Sequence, residues 1–170
     1  MIDSSRICAL ARSSKLITLL AVMLTACASD KTSADPMNLD EFATQYTAAW
    51  CSHKAAVVAS FFSTDGSLKI NQGNASVGRP AITVTVRKFV TAFPDLIVKM
   101  DKLTGDSSRA TYYWTLTGTS TGPGGTGHTV RISGYEEWQF GAGHHIAESK
   151  GHFDEAEYQR QLKTDAGGST

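Results

Sequence analysis

The fold is decided by residues 109–153, RATYYWTLTGTSTGPGGTGHTVRISGYEEWQFGAGHHIAESKGHF. This stretch is rich in threonine, tyrosine, tryptophan, valine and isoleucine, a composition that predicts β-strands. The predicted strands are 96–104, 109–119, 129–140 and 145–153. Gly105-Asp106 and Gly141-Ala142-Gly143 fall where antiparallel neighbours need tight turns. The second half of the chain is therefore predicted to be an antiparallel sheet.

Toward the N-terminus, the sequence changes from strand to helix periodicity. The apolar residues that recur at helical spacing are Leu39, Phe42, Ala43, Tyr46, Ala49 and Trp50. Asn38 followed by Glu41 supplies a capping pattern at the start of this helix. A second helix is predicted over 53–62, capped by Ser52 and ended by Asp65-Gly66. Leu68 and Ile70 then alternate as a short strand.

The segment after Gly78-Arg79-Pro80 fits two structures. Proline is tolerated in the first turn of a helix, so this tripeptide indicates a helix start. Ile82, Val84 and Val86 alternate as in a strand, but the helical spacing persists longer, and we predict a helix to Ala92. A last helix begins at Asp154. Helices followed by an antiparallel sheet predict an α+β fold with the helices on one face of the sheet.

The first 26 residues have the features of a bacterial signal peptide. Three basic residues precede the apolar run 16–25, which is too short to cross a bilayer as a stable helix. The run ends in Leu24-Thr25-Ala26-Cys27, which resembles the lipobox at which bacterial lipoproteins are cleaved and lipidated. We expect Cys27 to be lipidated; the alternative is an ordinary secretory peptide that leaves Cys27 as a free thiol.

A lipid on Cys27 predicts a protein anchored in the cell envelope. The residue after the cysteine is Ala28 and not aspartate, which favours the outer membrane, facing the periplasm, where the host has two membranes. We expect a lipidated flexible tether over 27–37, one domain over 38–164 and a disordered tail over 165–170. Removal of 26 residues leaves 144, enough for a single core.

The charge balance and the cysteine content exclude a nucleic-acid-binding protein and a disulfide-stabilised domain. The 170 residues include 16 basic and 16 acidic ones, and loss of residues 1–26 leaves a net charge of −2. This balance gives no electrostatic footprint for nucleic acid. Only Cys51 would remain inside the domain, so no internal disulfide is expected.

Several segments together resemble the SnoaL-like polyketide cyclases and ester cyclases of the nuclear-transport-factor-2-like superfamily. The segments are Asp65-Gly66, Val77-Gly78-Arg79, Phe93-Pro94-Asp95, Trp114–Thr119, Gly134–Trp138, His152-Phe153-Asp154 and Gln161-Leu162. The resemblance covers 39–163. It implies a cone, in which a curved antiparallel sheet wraps around the N-terminal helices and leaves a deep apolar pocket, with a C-terminal helix.

The resemblance also implies a chemistry. In these cyclases an acidic residue at the end of the final strand moves a proton at a carbon beside a carbonyl, and Asp154 holds the matching position. The relatives usually have His-Trp shortly before that aspartate, where this chain has Ser149-Lys150, and His152 could substitute in part. Asp154 followed by Glu157 is equally a helix-capping arrangement, which requires no catalysis.

The remaining site expectations follow from aromatic and polar residues near the implied pocket. The expected ligand-binding residues are Tyr46, Trp50, Tyr112, Trp114, Tyr135 and Glu137. No metal or cofactor is expected, because His144 and His145 are adjacent in the chain without a recognised ligand pattern. Gly118–Gly122 matches G-x-S-x-G, but no helix follows it, so we reject a hydrolase nucleophile.

The leading hypothesis is a lipid-anchored cyclase or isomerase without cofactor. Its partner would be a small apolar carbonyl compound or a lipid-like ligand. The alternatives are a binding module without turnover and a protein that forms a homodimer through the outer face of the sheet.

Overall fold

A computed structural model describes residues 37–164. The predicted leader, Cys27, all but the last residue of the tether, and the tail lie outside the described residues. Within 37–164, no helix has the length and the apolar character that a membrane span requires.

Three helices come first, close to the predicted positions. Helix α1 spans Leu39–Cys51, and the Asn38 side chain caps it by accepting from the Glu41 N–H at 3.1 Å. Helix α2 spans only Ala55–Ser60 and is shorter than predicted at both ends. It starts late because His53 has a left-handed φ of 58°, and the next strand already begins at Phe62. Helix α3 spans Arg79–Ala92, which confirms the helical interpretation of that segment.

The polar segment before Leu68 belongs to a strand, contrary to the prediction of a helix end. Strand β1 spans Phe62–Ile70 and pairs with the short β2, Ser76–Val77. The register shifts between Phe62 and Ser67. Inside this irregularity a Cβ at Gly66 would lie 2.7 Å from the Ile146 carbonyl oxygen. A bulge of this kind breaks the alternation on which strand prediction depends.

The remaining strands carry the sheet. They are β3 Ile97–Gly105, β4 Arg109–Thr119, β5 Thr129–Phe140 and β6 Ile146–Phe153. The six strands lie in the order β2-β1-β6-β5-β4-β3. Strands β3 to β6 are antiparallel as predicted, but β1 and β6 are parallel, so the sheet is mixed. The single-sequence pattern predicted only a fragment of β1 and gave no partner for it.

Helix α4, Glu155–Gln161, follows β6. The curved sheet does not close, and the N-terminal helices pack on it to form an α+β fold, as predicted. The core is centred on Tyr46 of α1, which is fully buried. Its ring meets those of Tyr112 and Trp138 edge-on at 5.6 and 5.1 Å, and these two rings stack at 4.8 Å.

Candidate functional site

Alternation along β5 brings a carboxylate into the interior. Val130, Ile132 and Trp138 are buried, and Glu136 shares their face with only 6% of its surface exposed. Its neighbour Glu137 is exposed. Side chains two residues apart on a strand share a face, so the apolar set fixes the direction of Glu136.

Three neutral donors hold the Glu136 carboxylate. The Trp138 indole donates to Oε2 at 2.9 Å and the Ser149 hydroxyl donates to the same oxygen at 2.7 Å. The Tyr46 hydroxyl donates to the carboxylate, 3.1 Å from Oε2 and 3.3 Å from Oε1. Oε1 therefore has only this one long contact, and it is the oxygen with capacity for a further proton or donor.

Burial controls the electrostatics of this group. Desolvation raises the pKa of Glu136, and the hydrogen bonds from Trp138, Ser149 and Tyr46 oppose that rise without cancelling it. The pKa of Tyr46 is also raised well above its ordinary value, first by burial and then by the charge of Glu136. The carboxyl of Glu136 can thus hold a proton at a higher pH than an exposed glutamate, as a general acid or base requires.

Glu136 borders an apolar cavity of about 50 Å³. The lining residues are Trp50, Leu68, Ile70, Phe89, Val98, Tyr112, Trp114, Leu116, Glu136, Gly151 and Phe153. One water needs roughly 10–15 Å³ by the same kind of measure, and the pockets that bind drug-sized ligands measure roughly 300–1,000 Å³. The space therefore suits a small molecule, and a larger one would have to displace side chains.

Two glycines make room beside Glu136. Gly151 pairs with Glu136 across β5 and β6, and a Cβ there would meet its nearest atoms at 3.6–4.0 Å, which is ordinary contact. Gly134 lies under the Trp114 indole, where a Cβ would come within 2.6 Å of Cζ2. Gly151 thus leaves volume open to the cavity, whereas Gly134 lets the indole lie against the sheet.

Trp114 also carries an unpaired polar group. Its indole N–H is shielded from water and has no hydrogen-bond partner among the described residues. An unpaired buried donor costs about 1–3 kcal/mol, so an acceptor supplied by a ligand would be favourable here. Trp114 and Glu136 are both among the residues that line the cavity.

The predicted ligand-binding residues divide between the two faces of the sheet. Trp50, Tyr112 and Trp114 line the cavity, and Tyr46 touches its carboxylate. Tyr135 and Glu137 lie on the opposite, outer face, because they have the odd parity of β5.

His152 also lies on the outer face. Its ring stacks on Tyr135 at a centroid distance of 4.7 Å, and its Nε2 lies 3.2 Å from Glu137 Oε2. The structure thus brings these three expected site residues together, but outside the cavity.

Asp154 is exposed and caps α4. Its carboxylate accepts from the Glu157 N–H at 2.9 Å. This is the capping arrangement, and it places the carboxylate outside the cavity. Gly118–Gly122 runs from β4 into the loop before β5. Within 37–164, no three His, Cys, Asp or Glu side chains cluster as metal ligands would.

Glu136 was not among the expected site residues, although the sequence contains a signal for it. Val130, Ile132 and Trp138 share even numbers along β5, and this parity predicts that Glu136 faces the core. The resemblance to the family led to the selection of Asp154 as the expected catalytic acid.

Sequence comparison identifies the family of this chain. The model of the SnoaL-like polyketide cyclase family matches residues 40–162, and the protein belongs to that family. No curated protein matches the chain in sequence.

Solved structures share the fold at low identity. A protein of ketosteroid isomerase-like fold from Catenulispora acidiphila DSM 44928, in complex with trimethylamine, is 16% identical with a TM-score of 0.65, over 76% of this chain and 98% of that one. A putative SnoaL-like polyketide cyclase from Jannaschia sp. CCS1 is 15% identical with a TM-score of 0.63, over 77% and 98%. TerC co-crystallised with polyporic acid is 14% identical with a TM-score of 0.63, over 74% and 98%.

Proposed function

We propose that this protein binds a small apolar carbonyl compound in the cavity and moves a proton at the carbon beside the carbonyl, as a cyclase or isomerase of the SnoaL-like type. The observation that carries the proposal is the position of Glu136, a dehydrated carboxyl at the edge of an apolar space. A base in such a place works near neutral pH because burial brings its pKa toward the working range.

The two polar groups of the cavity divide the work. Ionised Glu136 takes a proton from the carbon next to the carbonyl, and the negative charge moves to the carbonyl oxygen. The Trp114 N–H, which has no partner among residues 37–164, donates to that oxygen as the charge develops. Where a carbon–carbon double bond is conjugated with the resulting enolate, Glu136 returns the proton to the far carbon of that conjugated system and the double bond shifts, so the net reaction is an isomerisation. General acid–base catalysis of this kind contributes about 10²- to 10⁴-fold.

The neighbours of similar fold support a small-molecule ligand in general terms. One is a complex with trimethylamine and another was crystallised with polyporic acid. These molecules differ in size and charge, so they support a small ligand without naming it. The cavity of about 50 Å³ favours a compound of a few heavy atoms.

A binding module without turnover is the second candidate, and Asp154 favours it. The carboxylate that resembles the family's catalytic acid caps α4 in this protein. If Glu136 serves only to select a ligand, the protein would bind ketones and leave their protons in place.

The test measures proton transfer directly. Cyclopentanone and cyclohexanone are incubated with the protein in D₂O, and NMR follows deuterium entering beside the carbonyl. We expect exchange faster than in buffer with wild type, loss to the buffer rate with Glu136→Gln, and full rate with the matched control Glu137→Gln. Glu136→Asp keeps an ionisable group and tests the site if the amide variant folds poorly.

Two results would overturn the enzyme proposal. Equal exchange by wild type and a folded Glu136→Gln protein would remove Glu136 from the reaction. Saturation-transfer signals from bound ketone with no exchange would leave only the binding module. If the protein neither bound these ketones nor exchanged their protons, a carbonyl ligand of this size would be excluded.

We further propose that the domain is held at the cell envelope by a lipid on Cys27. The support is the lipobox-like sequence Leu24-Thr25-Ala26-Cys27 after an apolar run. In bacteria that express the full chain, we expect the protein in the detergent phase after Triton X-114 partition and Cys27→Ser in the aqueous phase. A Cys27→Ser protein that stays in the detergent phase would reject the anchor.

A further inference from the structure

Glu136 is a buried carboxylate without a positive partner. Its hydrogen-bond donors are the neutral groups of Tyr46, Trp138 and Ser149. Among residues 37–164, no lysine, arginine or histidine forms an ion pair with it. Buried charges in proteins are normally paired, so an ionised Glu136 leaves room for a cation supplied from outside the chain.

Five aromatic residues line the cavity together with Glu136. Trp50 and Phe89 meet edge-to-face at 6.3 Å, and so do Trp114 and Phe153. Tyr112 completes the set. Aromatic faces carry negative charge density and attract ammonium groups, and cages of such rings recognise methylated ammonium ions in particular.

The lining of the cavity favours methylated over primary ammonium ions. A primary ammonium group has three N–H donors and needs an acceptor for each. The cavity offers the Glu136 carboxylate, whereas the Tyr112 hydroxyl already bonds to Thr47 at 2.7 Å. Methyl groups on the nitrogen need no acceptor and gain by burial against rings and aliphatic side chains. A neutral apolar ligand would satisfy the rings but not the charge.

We infer that the cavity binds small methylated ammonium ions, with Glu136 as counter-ion and the five aromatic residues as a cage. This inference rests on the proposed function only for the location of the ligand. A cation there occupies the space of the ketone and holds Glu136 in its ionised, ion-paired form. It therefore competes with the carbonyl ligand and inhibits the proposed proton transfer.

The test uses tetramethylammonium and trimethylammonium chloride, with ionic strength held constant by sodium chloride. Binding is followed by fluorescence of the cage tryptophans and by titration calorimetry. We expect saturable binding of both, at least tenfold weaker binding of ammonium chloride, and at least tenfold weaker binding of tert-butanol, a neutral molecule of similar shape. Tetramethylammonium should also raise the apparent KM for cyclohexanone exchange without changing kcat.

Variants separate this inference from the proposed function. Glu136→Gln should weaken tetramethylammonium binding at least tenfold, and Glu137→Gln should leave it unchanged. Trp114→Phe keeps an aromatic ring and removes the N–H, so it should retain the cation and slow ketone exchange. If Glu136→Gln does not fold, Gly151→Ala tests the same space, because its methyl group intrudes into the cavity without a clash.

The outcomes are distinct. Cation binding without any ketone exchange supports the cage and overturns the proposed reaction. Ketone exchange that tetramethylammonium does not inhibit overturns the cage and leaves the reaction standing. Equal responses to tetramethylammonium and ammonium chloride, or equal binding by wild type and Glu136→Gln, also overturn the cage.

Discussion

Glu136 and Glu137 are adjacent in β5, and their carboxylates lie on opposite faces of the sheet. Glu136 accepts hydrogen bonds from Ser149 and Trp138 in the interior, whereas Glu137 lies 3.2 Å from His152 on the outside. The two glutamates can therefore be compared directly, because they are neighbours in the chain and differ in whether the side chain is buried or exposed.

The raised pKa of Glu136 predicts a pH dependence of stability. Between its ordinary value of 4.5 and the higher pKa of the folded state, the folded protein keeps a proton that the unfolded chain has released. The contribution of Glu136 is therefore fully present below pH 4.5 and is lost as pH rises to the folded pKa. Glutamine does not titrate, so the stability of Glu136→Gln relative to wild type should improve over that window.

The measurement is urea unfolding of both proteins from about pH 4 to about pH 8. Glu137→Gln is the matched control and should follow wild type more closely. Parallel curves for Glu136→Gln and wild type across the range would show that burial does not raise the pKa of Glu136.

The two glycines beside the site should respond in opposite ways to alanine. Gly151→Ala meets ordinary contacts and should fold at least as well as wild type, with a gain of about 0.4–1 kcal/mol, while ketone binding weakens. Gly134→Ala places a methyl group 2.6 Å from Trp114 Cζ2 and against the His152 carbonyl, and should cost about 1–3 kcal/mol. Thermal unfolding and ketone titration check both, and equal stabilities would contradict the packing around Trp114.

Substitutions at Asp154 separate capping from catalysis. Asp154→Ala removes the acceptor of the Glu157 N–H and should cost about 0.5–2 kcal/mol, whereas asparagine caps nearly as well as aspartate. We expect both variants to keep the exchange activity of wild type when assayed well below their melting temperatures. If Asp154→Asn melted as wild type but lost exchange, Asp154 would take part in the reaction.

Gln161 stabilises the edge of the sheet beyond the end of β6. Its side-chain amide pairs with the backbone of Arg131 in β5, accepting from N–H at 2.6 Å and donating to the carbonyl at 3.0 Å. Gln161→Leu leaves both groups without this partner and should cost about 1–3 kcal/mol. Gln159→Leu, which removes an exposed bond to Glu155, is the control and should cost less in the same urea unfolding experiment.

Much of the fold could be predicted from local sequence. The bounds of β4 and β5 match the prediction, because both strands are long and rich in β-forming residues. The helix over Arg79–Ala92 was ambiguous, and Ile82 and Val86 resolve it by facing the core one turn apart. The parallel pairing of β1 with β6 joins segments far apart in the chain, and no local pattern encodes it.

The site was harder to predict than the fold. Identifying Tyr112 and Trp114 near the cavity required only aromatic residues on one strand face. Choosing between Glu136 and Glu137 required the parity of β5: Glu137 was expected at the site together with Tyr135, and both lie on the outer face of the sheet. The direction of Asp154 depends on where β6 stops and α4 begins, which sequence patterns locate only to within a few residues.

The Glu136 carboxylate also connects elements of the fold by hydrogen bonds. Tyr46 reaches it from α1, Trp138 from β5 and Ser149 from β6, so three separate parts of the chain are tied to one ionisable group. Protonation or deprotonation of Glu136 changes the strength of all three hydrogen bonds at once. The protonation state of Glu136 therefore determines how firmly α1 is held against the sheet beside the cavity.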